Sequence, residues 1–214
     1  MIDQWKFLQN PRYVARIELV EMLSGVLLVL FMWGHLTMLG TILFGEQTMN
    51  SLARFLESVY LAQVGAVAIV FLVAIHFFAA GRKLPMRLRE QAAFWTLARK
   101  LRHLDTWLWL VQAVSGMLIL VFVGIHLWFI LTTFPIQAVK SSVRVASSLG
   151  WLYAPMVLIV ELHLGVGLYR ILVKWTAMNR GMSSALKWAL TTAFVVVGYW
   201  ILWTFWTIGL AHMQ

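Results

Sequence analysis

Residues 106–131 read TWLWLVQAVSGMLILVFVGIHLWFIL and contain no Asp, Glu, Lys or Arg. At 1.5 Å per residue, a helical run of this length crosses ~30 Å of hydrocarbon with residues to spare. One histidine, His126, lies inside it. Lipid has no water to solvate an ionisable side chain, and placing one at bilayer depth costs at least ~2.5–3.5 kcal/mol. How many such runs the chain has, and what its buried histidines do, decides the fold and the function.

Four further apolar runs long enough to cross cover 19–43, 59–80, 151–173 and 188–210, with Glu21, Glu161 and Arg170 the charged residues inside them. Composition agrees: 62% of the 214 residues are hydrophobic and only 12% are charged, with a mean hydropathy of +0.83. Soluble domains are nearer half apolar and a quarter charged. Twelve Trp and thirteen Phe suit helix ends set at membrane interfaces. The expected fold is all-α: a single integral membrane domain over 1–214, a bundle of five transmembrane helices. The connector 81–105, GRKLPMRLREQAAFWTLARKLRHLD, is expected to carry a short amphipathic helix along the membrane surface. The chain has no cysteine, which excludes disulfides, thiolate zinc sites, iron–sulfur clusters and covalently attached c-type haem.

The net charge of +9 reports topology. Fourteen of the seventeen Lys and Arg fall in the N-terminal segment, the 81–105 connector and the segment between the fourth and fifth spans. Arg54, Lys140 and Arg144 alone fall on the other side. The positive-inside rule then makes the N-terminus cytoplasmic and the C-terminus external, as five spans require. Nucleic acid is not an expected partner. The N-terminal MIDQWKFLQNPRY shows no cleavable signal pattern, so the first span is expected to be retained.

Four histidines lie within spans: His35, His76, His126 and His163, one on each of the first four and none on the fifth. A lone histidine on an apolar helix is ordinarily structural. Four, one per helix, point to a shared task, because intramembrane ionisable groups are rare and functional. An internal echo accompanies them. Residues 24–35 read SGVLLVLFMWGH and 115–126 read SGMLILVFVGIH, with Ser-Gly at the same offset before each histidine; Gly65 stands eleven residues before His76. Eleven residues return a helix to within about 20° of the same face and advance it ~16 Å. Small residues there either permit close helix packing or let something bulky pass at a second depth.

Topology sets the depths. The first and third spans run outward with His35 and His126 late in them, in the outer half of the bilayer. The second and fourth run inward and carry His76 and His163 past their midpoints, in the cytoplasmic half. Two stacked pairs result, His35 with His126 and His76 with His163. Zinc or copper would require three or four ligands converging at one point. A planar iron porphyrin, held by one histidine on each face, requires two. Bis-His ligation leaves no open position, so two such b-type haems would carry electrons and not bind oxygen.

The chain resembles the cytochrome b subunit of two-haem, five-helix menaquinol:fumarate reductases, in the succinate dehydrogenase/fumarate reductase superfamily. The pieces that carry the resemblance are FMWGH (31–35), AIHFF (74–78), RHLDT (102–106), GIHLW (124–128) and ELHLGVGLYRILVKW (161–175), in order and at matching spacing. The match covers nearly the whole length, apart from the ends and the loop before the second span. It implies an anchor in the bacterial cytoplasmic (inner) membrane, embedded in membrane lipid. It also implies an iron–sulfur subunit bound to the anchor, an FAD-containing flavoprotein subunit bound to that, and compatibility with a dimer of heterotrimers. Menaquinol would be oxidised near the outer haem, electrons would leave near the inner haem, and fumarate would be reduced on the flavoprotein. The implied iron ligands are His35 and His126 for the outer haem b, and His76 and His163 for the inner.

Two carboxylates acquire roles by the same resemblance. Glu161, two residues from His163 and about 200° around the helix, cannot share its iron and is placed on a helix–helix seam. It is either a protonated structural glutamate or a proton relay, and the resemblance implies a transmembrane proton pathway at this ELH position. Glu57, in LARFLESVY (52–60), is otherwise an ordinary loop carboxylate. The resemblance implies that it accepts a hydrogen bond and then a proton from menaquinol, although the loop after it is shorter than in the family. In RHLDT, Asp105 or Thr106 would cap the third span on a purely structural reading, whereas the resemblance implies that His103 and Asp105 lie where the iron–sulfur subunit docks; His212 carries no assigned role. The rival readings are a succinate:menaquinone reductase anchor using the same residues in reverse, the quinone-reactive cytochrome b of a hydrogenase or formate dehydrogenase, and a haem-free proton-coupled transporter. The fifth span counts against the second of these, and the Ser-Gly echo against the third.

Overall fold

The computed structural model describes residues 10–85 and 87–214. Lys6, one of the topology-setting cations, lies outside the described residues. Among the described residues eight α-helices follow one another: α1 (Pro11–Gly40), α2 (Glu46–Ser58), α3 (Leu61–Gly81), α4 (Leu88–Leu101), α5 (Leu104–Thr132), α6 (Ala138–Ala146), α7 (Gly150–Trp175) and α8 (Arg180–Ala211). Among the described residues there is no strand. Of the described helices, five are long and apolar enough to cross a membrane: α1 with the 3-10 turn that continues it to Phe44, then α3, α5, α7 and α8. In hydrocarbon a helix satisfies its own backbone polar groups, which is why these segments adopt no other structure. Their outward side chains, such as Leu30, Phe71, Trp128 and Trp200, are exposed apolar groups that suit lipid.

Local chemistry fixes the ends. Asn10 caps α1 by accepting from the Arg12 N–H at 3.0 Å, with Pro11 at the first helical position. Asn179 caps α8 through the Met182 N–H at 2.9 Å. Two joints are only two residues long, and each contains a non-glycine residue in the left-handed region: Tyr60 (φ 58°) between α2 and α3, and Arg102 (φ 49°) between α4 and α5. The amphipathic helix expected in the 81–105 connector is α4. Two more short helices, α2 and α6, lie in the connectors after the first and third spans, where the sequence predicts no helix. Both are strongly amphipathic and too polar to register as spans.

The spans pair as α1 with α3, α5 with α7, and α7 with α8, while α1 also meets α7 and α8. The core gathers where α6 crosses the C-terminal half of α8, around Leu36, Ile42, Val145, Val160, Phe194 and Ile201. Gly209 of α8 lies directly against the Ser142 carbonyl of α6, where a Cβ would collide with backbone. Beside Pro155 in α7, the Tyr199 hydroxyl donates to the Ala154 carbonyl at 2.8 Å and ties α8 to α7. The α1/α3 and α5/α7 pairs touch each other chiefly through α1 and α7. The four intramembrane histidines project across the boundary between these two pairs.

Candidate bis-histidine sites

His35 on α1 faces His126 on α5 with ring centres 6.2 Å apart, and His76 on α3 faces His163 on α7 at 6.4 Å. A transition-metal ion sits about 2 Å from an imidazole nitrogen and about 3 Å from the ring centre, so two imidazoles sharing one ion have centres about 6 Å apart. Both pairs match that spacing. Among the described residues no three His, Asp or Glu converge on one point, so the donor sets suit an ion bound by two axial nitrogens within a macrocycle.

The levels are separated by the spacing of the Ser-Gly echo. Ser24 on α1 lies 3.0 Å from His76 Nδ1, and Ser115 on α5 lies 3.3 Å from His163 Nδ1. Each serine is eleven residues from its own helix's histidine, so the two levels stand ~16 Å apart along both α1 and α5. What passes the small residues at the second depth is the histidine of the neighbouring helix. A Cβ on Gly25 would come within 3.3 Å of His76 Cε1, and one on Gly116 within 2.9 Å of His163 Cε1. Gly65, grouped with them by sequence offset, meets no side chain at this distance.

Hydrogen bonds orient one pair. Ser24 Oγ donates to the Val20 carbonyl at 2.7 Å, which leaves its lone pairs to accept from His76 Nδ1–H. His163 Nδ1 donates to the Gln112 carbonyl at 3.0 Å. Both tautomers therefore leave Nε2 free as a metal donor, the usual arrangement for a ligating histidine. His35 instead stacks on Phe31 at 5.6 Å, and His126 meets the edge of Tyr153 at 5.7 Å with its Nδ1 unpartnered. The residues present fit two bis-imidazole haems.

Glu161 is 2% exposed and sits between α7 and α8, away from the imidazoles. The Thr191 hydroxyl donates to its Oε1 at 2.6 Å, Lys187 is close enough to act on it electrostatically, and Oε2 has no partner. Glu57 lies in the last turn of α2, at the end of the bundle beyond His35 and His126. Its Oε1 accepts from the Ile136 N–H at 2.6 Å, so the α5–α6 connector holds it. Ile136 also lines a small cavity with Thr133, Lys140 and Arg144. Asp105 pairs with Arg180 at 2.8 Å and lies 4.0 Å from His103, which joins the start of α5 to the start of α8. His212, which the sequence left without a role, meets Glu46 at 3.2 Å and closes α8 onto α2.

Three supporting groups escaped the sequence reading: Gln112, Thr191 and the Ile136 N–H. Gln112 carried a signal, as a rare polar residue inside an uncharged span. Its side chain accepts from Arg170 at 2.7 Å while its carbonyl accepts from His163.

Fold and site together define a polytopic membrane protein with two stacked histidine pairs. Residues 89–202 match the family described as succinate dehydrogenase/fumarate reductase transmembrane subunit. The chain is 33% identical over 207 residues to the fumarate reductase cytochrome b subunit of Helicobacter pylori, covering 90% of this chain and 81% of that protein. It is 36% identical over 177 residues to the protein of the same name from Wolinella succinogenes, covering 78% and 69%. The chain belongs to the succinate dehydrogenase/fumarate reductase transmembrane subunit family.

Proposed function

We propose that this chain is the di-haem cytochrome b subunit of a menaquinol:fumarate reductase in a bacterial cytoplasmic membrane. It would carry an iron–sulfur subunit and, through that, an FAD-containing flavoprotein. The observation that carries the reading is the pair of facing imidazoles at each of two levels, 6.2 and 6.4 Å apart. Bound there, two b haems would supply one-electron carriers closed to exogenous ligands. His35 and His126 hold the outer one, and His76 and His163 the inner one, with the N-terminus cytoplasmic by the positive-inside rule.

The chain's own residues do the proton work. Glu57 is fixed by the Ile136 N–H at the outer end of the bundle. As a base there it takes a proton from a menaquinol hydroxyl on the side where the electrons enter. Glu161, enclosed in the α7/α8 seam with one oxygen accepting from Thr191, is a proton relay whose carboxyl can take up and release a proton. Arg180 and Asp105 brace the cytoplasmic ends of α8 and α5 where the iron–sulfur subunit docks. The complex purified from its native membrane should contain two low-spin b haems per copy of this chain, extractable by acidified organic solvent. An iron–sulfur protein and a flavoprotein should co-purify. A haem-free preparation that still carries both partners would refute the reading.

A further inference from the structure

The connector helix α4 carries a surface that the electron-transfer reading does not use. It is joined to α5 through Arg102 and His103 and packs beside the first turns of that helix, with Phe94 on Trp109 at 4.4 Å and Trp95 on Trp107 at 5.6 Å. At 29 residues α5 is longer than ~30 Å of hydrocarbon requires, and its one charged residue, Asp105, is in its first turn, which puts that end, and α4 beside it, at headgroup depth.

Ala98 is the buried position of α4. Arg89, Ala93, Thr96 and Lys100 recur at i, i+4, i+7 and i+11 and form a stripe on the opposite side, exposed along its whole length. A cation stands at each end, about 16 Å apart, with small side chains between them. Ala92, Ala93, Thr96, Leu97 and Lys100 line an open groove along this stripe. The flanking apolar side chains are largely open: Leu88 is 83% exposed and Leu101 57%.

The charges on α4 are largely uncompensated. Glu90 is its only acid and lies 3.9 Å from Arg87, while Arg99 stacks over Trp95 at 5.0 Å. Among the described residues Arg89, Lys100 and Arg102 have no acidic partner. The neighbouring Arg82 and Lys83 are already engaged by Glu21 of α1. A helix at headgroup depth that combines unpaired cations with largely exposed leucines is complementary to an anionic lipid. Phosphate pairs with Arg and Lys, and acyl chains cover the apolar flanks. An acidic protein surface would satisfy the cations and leave Leu88 and Leu101 exposed.

We propose that the outer stripe of α4 binds an anionic phospholipid, its phosphate paired with a cation at an end of the stripe, Arg89 or Lys100, and an acyl chain laid along the Ala92–Leu97 groove between them. The assignment to the cytoplasmic leaflet rests on the orientation proposed above. That orientation is read separately: a Lys100→Cys probe labelled only from outside the cell would reverse the leaflet.

The test is native mass spectrometry of the complex with its partner subunits, equilibrated in detergent containing equal phosphatidylglycerol and phosphatidylcholine. The wild type should retain phosphatidylglycerol in preference. Arg89→Gln/Lys100→Gln should lose that preference about tenfold, Arg89→Lys should keep it, and Arg54→Gln at the other end of the bundle should leave it unchanged. Excess inorganic phosphate should not displace the lipid; displacement would assign the site to free phosphate and overturn the lipid proposal. Equal retention by wild type and double variant also overturns it. So does loss of the partner subunits from the double variant with lipid retention intact, which would make the stripe a protein interface. None of these readouts depends on haem content, so failure here leaves the proposed function standing.

Discussion

The two histidine pairs have nearly the same spacing and are held in different ways. At the His76–His163 level each Nδ1 donates to a fixed oxygen, Ser24 Oγ or the Gln112 carbonyl, and a glycine of the adjacent helix, Gly25 of α1 or Gly116 of α5, clears space for each ring. At the His35–His126 level the rings are held by aromatic contact with Phe31 and Tyr153, and His126 Nδ1 has no acceptor. Hydrogen bonds to the second nitrogen fix the tautomer and raise the basicity of the ligand, whereas ring packing fixes position alone. The difference teaches that equal ligand geometry does not mean equal ligand strength. The hydrogen-bonded pair should bind its metal more tightly.

The largest expected effect breaks the pairing itself. His76→Ala or His163→Ala should each remove one of two haems and the same one, and His35→Ala or His126→Ala should remove the other. Pyridine haemochrome content and the split absorbance bands report which is lost. Loss of the same haem in His35→Ala and His76→Ala would dissolve the division into levels.

Glu57→Gln should come next. It keeps the shape and both haems but removes the base at the His35–His126 end, so quinol-driven turnover should fall about 10²- to 10⁴-fold. Fumarate reduction by a soluble artificial donor should be untouched. Wild-type quinol turnover in this variant would place the quinol site elsewhere.

Glu161→Gln bears on what connects the two levels. If the carboxyl moves one proton as electrons cross, blocking it leaves the reaction working against the membrane potential. That costs ~2.3 kcal/mol per 100 mV, a rate effect of about fiftyfold if all of it falls on the barrier. Sealed proteoliposomes with and without an uncoupler measure it. Equal rates for the variant and the wild type would leave Glu161 as a packing residue bound to Thr191.

The smallest effect sharpens the contrast. Ser24→Ala removes the acceptor of His76 Nδ1 and should weaken haem retention at that level about tenfold. Tyr153→Phe keeps the ring beside His126 and should leave retention at the other level unchanged. Competition with an apo-haem acceptor protein measures both, and equal retention in the Ser24→Ala variant and the wild type would remove the basis of the comparison.

Sequence reading reached the five spanning helices because hydrocarbon imposes a length and composition that few other structures satisfy. It missed α2 and α6, thirteen and nine residues of low hydropathy whose amphipathic faces matter only once α3 packs on the one and α8 on the other. The histidine pairs were legible because helix direction and position along a span fix depth. Their supports were not. Ser24 reaches His76 across 52 residues of chain, Gln112 reaches His163 across 51, and Thr191 reaches Glu161 across 30. No local pattern encodes a partner that distant. The Ser-Gly echo marked the right positions, but the ring it accommodates belongs to another helix.

The meeting of one histidine from α1 with one from α5, and of one from α3 with one from α7, also sets a timetable for synthesis. Neither site can close on the first two spans, because each takes one imidazole from each half of the chain. The His35–His126 site has both its ligands once α5 has left the ribosome. The His76–His163 site waits for α7, and Glu161 and Thr191 meet only when α8 follows. A ribosome stalled between α5 and α7 therefore holds a half-built protein with one complete histidine pair and one widowed ligand, His76.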